Sequence, residues 1–188
     1  MYKSEKDLLM LPKETIFGGN NYVTNITDDK SNVISLFVGE VCGCVPYDIR
    51  ELTYFAYSPK STSICFVCYS VVDQTSFLNV TNLWVKEIKQ HEPNPKIILV
   101  GTKTDLREDE ETLDELFKNG ESPITTKQGK VFAATIGAID YFECTATNIE
   151  TIKRIYNKGL DLIFNANDDK IPKDDNPPVN DSGFCSIQ

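Results

Sequence analysis

The stretch Ile97-Ile98-Leu99-Val100-Gly101-Thr102-Lys103-Thr104-Asp105 decides the fold. Its four leading apolar residues, three of them β-branched, describe a buried parallel strand, because a strand covered on both faces is a continuous apolar run and not an alternation. Gly101 is expected to end the strand. In open parallel sheets ligands bind beyond the carboxyl ends of the strands, which is where Thr102, Lys103 and Asp105 hang. A carboxylate such as Asp105 accepts from two adjacent N–H groups, the pattern that the edge of guanine presents. The stem of Lys103 can lie along a base plane while its ammonium stays in water. Lys and Asp are also ordinary residues of a loop between strand and helix.

Toward the N-terminus, Pro93 and Pro95 separate this strand from a helical pattern. Phe77, Val80, Trp84 and Ile88 recur on one face of it, and Asp73 or Thr75 is the cap. Ile64-Cys65-Phe66-Val67-Cys68-Tyr69 before it is a second buried strand, so the unit is a crossover joining parallel strands. Further back, Tyr22-Val23-Thr24-Asn25-Ile26 and Val33-Ile34-Ser35-Leu36-Phe37-Val38 form an antiparallel hairpin. Gly and Asn in 15–20 indicate loop, 39–46 is loop as well, and 47–57 is weakly helical. The apolar cluster Leu8-Leu9-Met10-Leu11, ended by Pro12, fits the tail of a helix or a stub of strand.

Toward the C-terminus, 107–118 has only Leu113, Leu116 and Phe117 as apolar residues and predicts a short exposed acidic helix ended by Asn119-Gly120. Thr125 or Thr126 caps a further helix that stops at Gly137. Ile139-Asp140-Tyr141-Phe142-Glu143 is the last strand. The loop Thr145-Ala146-Thr147-Asn148 lies at its carboxyl end, on the edge that carries Lys103 and Asp105. Asn148 caps a helix whose apolar face is Ile149, Ile152, Tyr156, Leu160 and Ile163. From Ala166 the chain is Asp- and Pro-rich, and 166–188 is expected to be a disordered acidic tail.

The 188 residues are 40% hydrophobic and 25% charged, enough for one well-buried domain. A net charge of −9 excludes nucleic acid as a partner, since phosphate binding is driven by Lys and Arg. No apolar run is long enough to span a membrane, and no signal peptide is expected. Cys65 and Cys68 lie three apart on a strand and point to opposite faces, so they do not ligate one metal; buried thiols are the expected state.

The loops 102–105 and 143–146 together resemble the guanine-recognition half of a small GTPase. In that half Ala146 offers a backbone N–H to the base carbonyl beside the Asp105 carboxylate, Thr102 and Lys103 support the loop, and Thr145 is counted among the nucleotide-binding residues. The wording is similar to the Rho/Rac family in Ile98-Leu99-Val100-Gly101-Thr102-Lys103-Thr104-Asp105-Leu106-Arg107, in the acidic helix after it, in Pro123-Ile124-Thr125, in Gln128-Gly129 and in Glu143-Cys144-Thr145-Ala146. The resemblance runs from about Thr15 to Cys185. It implies an α/β, Ras-like, doubly wound and mostly parallel sheet with helices on both faces, over residues 15–165, after a divergent segment 1–14. GTP and GDP are the implied ligands, and Rho-type regulators or effectors the implied partners.

Cys185-Ser186-Ile187-Gln188 reads as a C-a-a-X prenylation box, which would attach the protein peripherally to the cytoplasmic leaflet from the cytoplasm. A single lipid is a weak anchor, and the acidic tail before it repels anionic lipid.

The departures from the family pattern are as informative. The family begins with a strand and G-x-x-x-x-G-K-[ST], whose loop cradles phosphates and whose Ser or Thr holds magnesium. No such string occurs in this chain. Thr15-Ile16-Phe17 resembles the first switch, whose Thr ligates magnesium, with Gly18-Gly19 in place of its acidic residue. Glu40-Val41-Cys42-Gly43-Cys44 aligns with the Asp-x-x-Gly-Gln of the second switch. Thr15, Glu40 and Gly43 are therefore read as vestigial, and magnesium has no secure ligand. The expectation is a Rho-related signalling protein whose GTP binding and hydrolysis are weak or lost, with the first strand and P-loop missing. The alternatives are an active Rho-type switch regulating actin, if an N-terminal part is missing from this sequence, and a prenylated binding module independent of nucleotide.

Overall fold

The computed structural model describes residues 14–16, 19–27, 33–41, 46, 48, 51, 64–92 and 94–167. Glu14–Ile16 (β1), Gly19–Thr27 (β2) and Val33–Gly39 (β3) form an antiparallel sheet in the order β1-β2-β3. The hairpin of β2 and β3 pairs Ile26 with Ile34 and Tyr22 with Val38. Residues 15, 16, 19 and 20 are not the loop that the Gly and Asn content of this stretch indicated. Thr15 pairs with Asn20 and Ile16 with Gly19, so β1 folds straight back on β2. The β-branched Thr15 and Ile16 suit a strand, and the glycine marks the turn end of the ladder.

The second sheet is parallel, in the order β4 (Cys65–Ser70), β5 (Ile97–Thr102), β6 (Asp140–Glu143). β5 is the middle strand, which is why 97–100 is apolar without alternation: Ile97, Ile98, Leu99 and Val100 are at most 3% exposed. Each such side chain contributes about 1.5–3 kcal/mol over its exposed state. The strand passes through Gly101 to Thr102 instead of stopping at the glycine. A Cβ at Gly101 would lie 3.0 Å from the Tyr141 hydroxyl and 3.1 Å from Val71. Close packing, not chain reversal, requires glycine there.

Between β4 and β5 the chain forms α1 (Gln74–Asn79), one π-helical turn (Val80–Trp84) and α2 (Val85–His91). Asp73 caps α1 by accepting from the Ser76 N–H. The π turn was not legible in the spacing; it brings Val85 into the core beside Val80 and Ile88. After β5 come a 3-10 turn (Thr104–Glu108), α3 (Glu110–Lys118), α4 (Thr126–Ile136) and, beyond β6, α5 (Ile149–Asn167). Thr125 caps α4 in a reciprocal capping box with Gln128, and Gly137 stops it at φ 76°. The acidic helix ends as expected, on Asn119 and Gly120, the latter at φ 72°.

Odd and even residues of β5 face different partners. Ile97 and Leu99 join Val67, Tyr69, Val80, Ile88, Ala133 and Ile136 under the helices α1, α2 and α4. Ile98 and Val100 pack with Phe142, Ile155 and Leu162, the last two from α5. The fold is therefore α/β with helices on both faces of a parallel sheet, as the sequence indicated. Among the described residues the two sheets are not hydrogen bonded to each other. α5 continues to Asn167, taking in the first two residues of the expected tail. The rest of the tail, the cluster 8–11 and most of 47–57 lie outside the described residues.

Cys65 is partly buried, and burial followed by the charge of Glu92 pushes its thiol up to about 11. It stays protonated at neutral pH, in keeping with a packing role for this thiol.

Candidate functional site

The register of β5 and β6 sets Gly101 opposite Glu143, so the chains leaving the two strands emerge side by side. Two backbone bonds then stitch them together. The Cys144 N–H donates to the Gly101 carbonyl at 2.8 Å, and the Thr104 N–H donates to the Cys144 carbonyl at 3.3 Å. Thr102 is tied on its other side, its hydroxyl donating to the Tyr69 carbonyl of β4 at 2.9 Å. Thr102 therefore supports the loop through the backbone of the neighbouring strand.

Lys103 turns the chain out of the strand in the left-handed region, at φ 59° and ψ 39°. Among the described residues it is the one non-glycine with positive φ. That conformation costs an L residue about 1–2 kcal/mol. It is held by the 3-10 turn, in which the Leu106 N–H donates to the Lys103 carbonyl at 3.0 Å. The turn places Asp105 at the surface, exposed, with no described donor on its carboxylate.

On the adjoining loop Thr145 builds its own turn. Its hydroxyl meets that of Thr147 at 2.9 Å and accepts from the Thr147 N–H at 3.3 Å, while its carbonyl accepts from the Asn148 N–H. Asn148 in turn accepts from the Glu150 N–H at the start of α5. Ala146, between them, is exposed, and no described residue takes its N–H. A carboxylate acceptor and a backbone donor thus stand free on two stitched loops at the carboxyl edge of the sheet.

Next to them lies a polar cluster whose members are not brought together by any local sequence pattern. The Arg107 guanidinium donates to both carboxylate oxygens of Glu143, at 2.7 and 3.1 Å, and twice to the Ile124 carbonyl. Glu143 also accepts from the Tyr141 hydroxyl at 2.7 Å and from Thr126 at 3.0 Å. Burial alone would raise the Glu143 carboxyl, but the bonds from Arg107, Tyr141 and Thr126 outweigh it and hold the group below its ordinary value. Burial pushes the Tyr141 hydroxyl far up, helped by its bonds to Tyr69 and Glu143, so it stays a donor. The available signal was a carboxylate closing the last strand, together with an arginine two residues past Asp105.

A family model, the Ras family, matches residues 13–165. The chain belongs to the Ras family. Domains of this family generally bind GTP or GDP with magnesium, and the match makes this a small GTPase-like signalling domain. Asp105 and Ala146 offer what the Watson–Crick edge and the carbonyl of guanine require, one acceptor for two N–H groups and one donor for an oxygen. At this edge β4 runs into Val71, Val72 and Asp73, and Asp73 is engaged as the cap of α1. Among the described residues, no three His, Cys, Asp or Glu side chains gather closely enough to hold a metal ion.

The structure does not bring all the sequence-derived residues together. Thr102, Lys103, Asp105, Thr145 and Ala146 share one edge. Thr15 lies in β1 opposite Asn20, and Glu40 is exposed just after β3, both with the antiparallel sheet. Gly43 and Cys185 lie outside the described residues.

Proposed function

We propose that this Ras-family chain is a Rho/Rac-type signalling protein that reads guanine but grips the rest of the nucleotide weakly. The observation that carries the reading is the pair of free groups, the Asp105 carboxylate and the Ala146 N–H, on loops stitched by the Thr104–Cys144 bond. The acidic helix α3 directly after Asp105 supports the Rho-type assignment. Weak binding follows from what surrounds the base. The 188 residues hold no G-x-x-x-x-G-K-[ST] string. A few hydrogen bonds to a base, each netting about 0.5–1.5 kcal/mol, fall short of the roughly 12 kcal/mol of nanomolar affinity. Without a lysine and a magnesium ligand positioned on the phosphates, hydrolysis stays at the uncatalysed rate. A prenyl group on Cys185 would place the protein at the cytoplasmic leaflet, where regulators or effectors of the Rho type would meet it.

A second reading is favoured by Phe117, 84% exposed on α3. Such a side chain suits a binding module that presents its surface to protein partners whatever nucleotide is present.

Titration of the 188-residue protein with fluorescent GDP separates the two. High-micromolar binding with a preference for guanine over adenine, lost in Asp105→Ala, supports the proposal. A nanomolar Kd overturns the weak-grip reading. Absence of any guanine preference leaves the binding module. Single-turnover phosphate release from GTP, with protein in excess, is expected to match a protein-free control.

A further inference from the structure

We infer that Arg107 and Glu143 are positioning residues, a clamp that sets the spacing between the two base-reading loops and thereby their selectivity for guanine. The inference rests on the guanine-reading assignment and adds to it residues that touch no base. Arg107 lies two residues after Asp105, within the same 3-10 turn. Glu143 lies three residues before Ala146, at the last position of β6. A bidentate pair between them therefore constrains the distance from the Asp105 carboxylate to the Ala146 N–H, the two groups that would meet the base.

The pair is anchored on every side. The second edge of the guanidinium holds the Ile124 carbonyl through Nε at 3.2 Å and a terminal nitrogen at 3.1 Å. The Ile124 N–H donates to the Val71 carbonyl at 2.7 Å, so the clamp is tied to the end of β4 as well. Glu143 is fully engaged, its two oxygens taking Arg107, Tyr141 and Thr126. Three segments that are apart in sequence thus meet at one ion pair, and the end of β4 is joined to it through Ile124. Its side chains are 24% and 20% exposed, so water screens the pair less than a pair at the open surface. A flat fork of donors is needed for this geometry; lysine, a point charge, cannot supply it. Misplacement of two recognition groups by about 1 Å is enough to degrade recognition of a fixed ligand.

The test uses the full chain and the variants Arg107→Lys, Glu143→Gln and Thr126→Val. Amide hydrogen exchange is read at Thr104 and Cys144, whose N–H groups bridge the loops, and at Leu99 in the core of β5. Affinities for GDP and IDP, which differ only by the base amino group that Asp105 would read, are measured by competition. The expected result in Arg107→Lys and Glu143→Gln is exchange at Thr104 and Cys144 faster by about tenfold, Leu99 unchanged, and a GDP-to-IDP preference reduced several-fold. Thr126→Val, which removes one exposed donor, is expected to shift both readouts the same way but less. Unchanged exchange at Thr104 and Cys144 overturns the clamp. Faster exchange with an unchanged GDP-to-IDP ratio overturns its role in selectivity. A wild type with no preference for GDP overturns the guanine-reading assignment itself, and is recognised before any variant is compared.

Discussion

Tyr69 and Tyr141, 72 residues apart in sequence, meet hydroxyl to hydroxyl at 2.9 Å. They stand on the two outer strands of the parallel sheet and reach each other over Gly101 of the middle strand, where a Cβ would come within 3.3 Å of the Tyr69 oxygen. The contact roofs the end of β5 and hands a donor on to Glu143.

Gly129 of α4 lies directly on this pair, and a Cβ there would fall 2.1 Å from the Tyr141 oxygen. Gly129→Ala is therefore expected to destabilise the protein by about 1–3 kcal/mol, the range for overpacking, although alanine is the better helix former by about 1 kcal/mol. Thermal melting measures it. The Tyr141 ring carbon at 2.3 Å and the Tyr69 oxygen at 2.6 Å stand in the way as well, so the loss should persist in a Tyr141→Phe background; an unchanged melting temperature for Gly129→Ala in the wild type would show that the clash is not felt.

Acid should weaken the protein through Glu143. Its carboxyl is held below its ordinary 4.5 in the folded state and returns to that value on unfolding. Its stabilisation is thus complete above pH 4.5 and drains away as pH falls through the depressed folded value. Urea titrations from neutral to acid pH are expected to give a midpoint that drops more steeply for the wild type than for Glu143→Gln, which starts lower at neutral pH. Parallel slopes would remove Glu143 from the account.

Lys103 holds a left-handed backbone that suits glycine. Lys103→Gly should keep or slightly raise stability, whereas Lys103→Val, β-branched, should lower it by about 1–2 kcal/mol. Chemical denaturation of the pair checks the order; valine equal to glycine would contradict it.

Prenylation of Cys185 is expected to give only partial membrane association. Residues 168–184 carry more Asp than Lys, while each basic residue near an anionic leaflet contributes about 1 kcal/mol. Mass spectrometry of the C-terminal peptide tests the modification, and fractionation of wild type beside Cys185→Ser tests the location. Membrane association that survives Cys185→Ser would refute the anchor.

The parallel half of the fold was legible because its signals are local. An unbroken apolar run marks a middle strand, and Asp73, Thr125, Gly137 and Asn148 each announce a helix end by chemistry within a few residues. That Asp105 and Ala146 lie at one edge was legible too, since both follow strands whose order fixes it. What was not legible depends on distance in the chain. Nothing near Arg107 says that Glu143 and Ile124 will meet it, and nothing near Gly101 says that two tyrosines will close over it. Gly19 misled for the opposite reason: its local signal reads as a break, and only pairing with Ile16 makes it part of a ladder.

The π-helical turn at Val80–Trp84 bears on how this sequence tolerates length change. Such a turn is one surplus residue housed within an otherwise regular helix. Removing an exposed residue from it, Asn82 or Leu83, would let α1 and α2 fuse into a single uninterrupted helix, with Phe77 on one side of the excision and Ile88 on the other still meeting the sheet. Elsewhere in a packed helix, excising one residue rotates everything after it by about 100°. The helix is thus expected to tolerate a single-residue deletion at this turn better than at any other point along it.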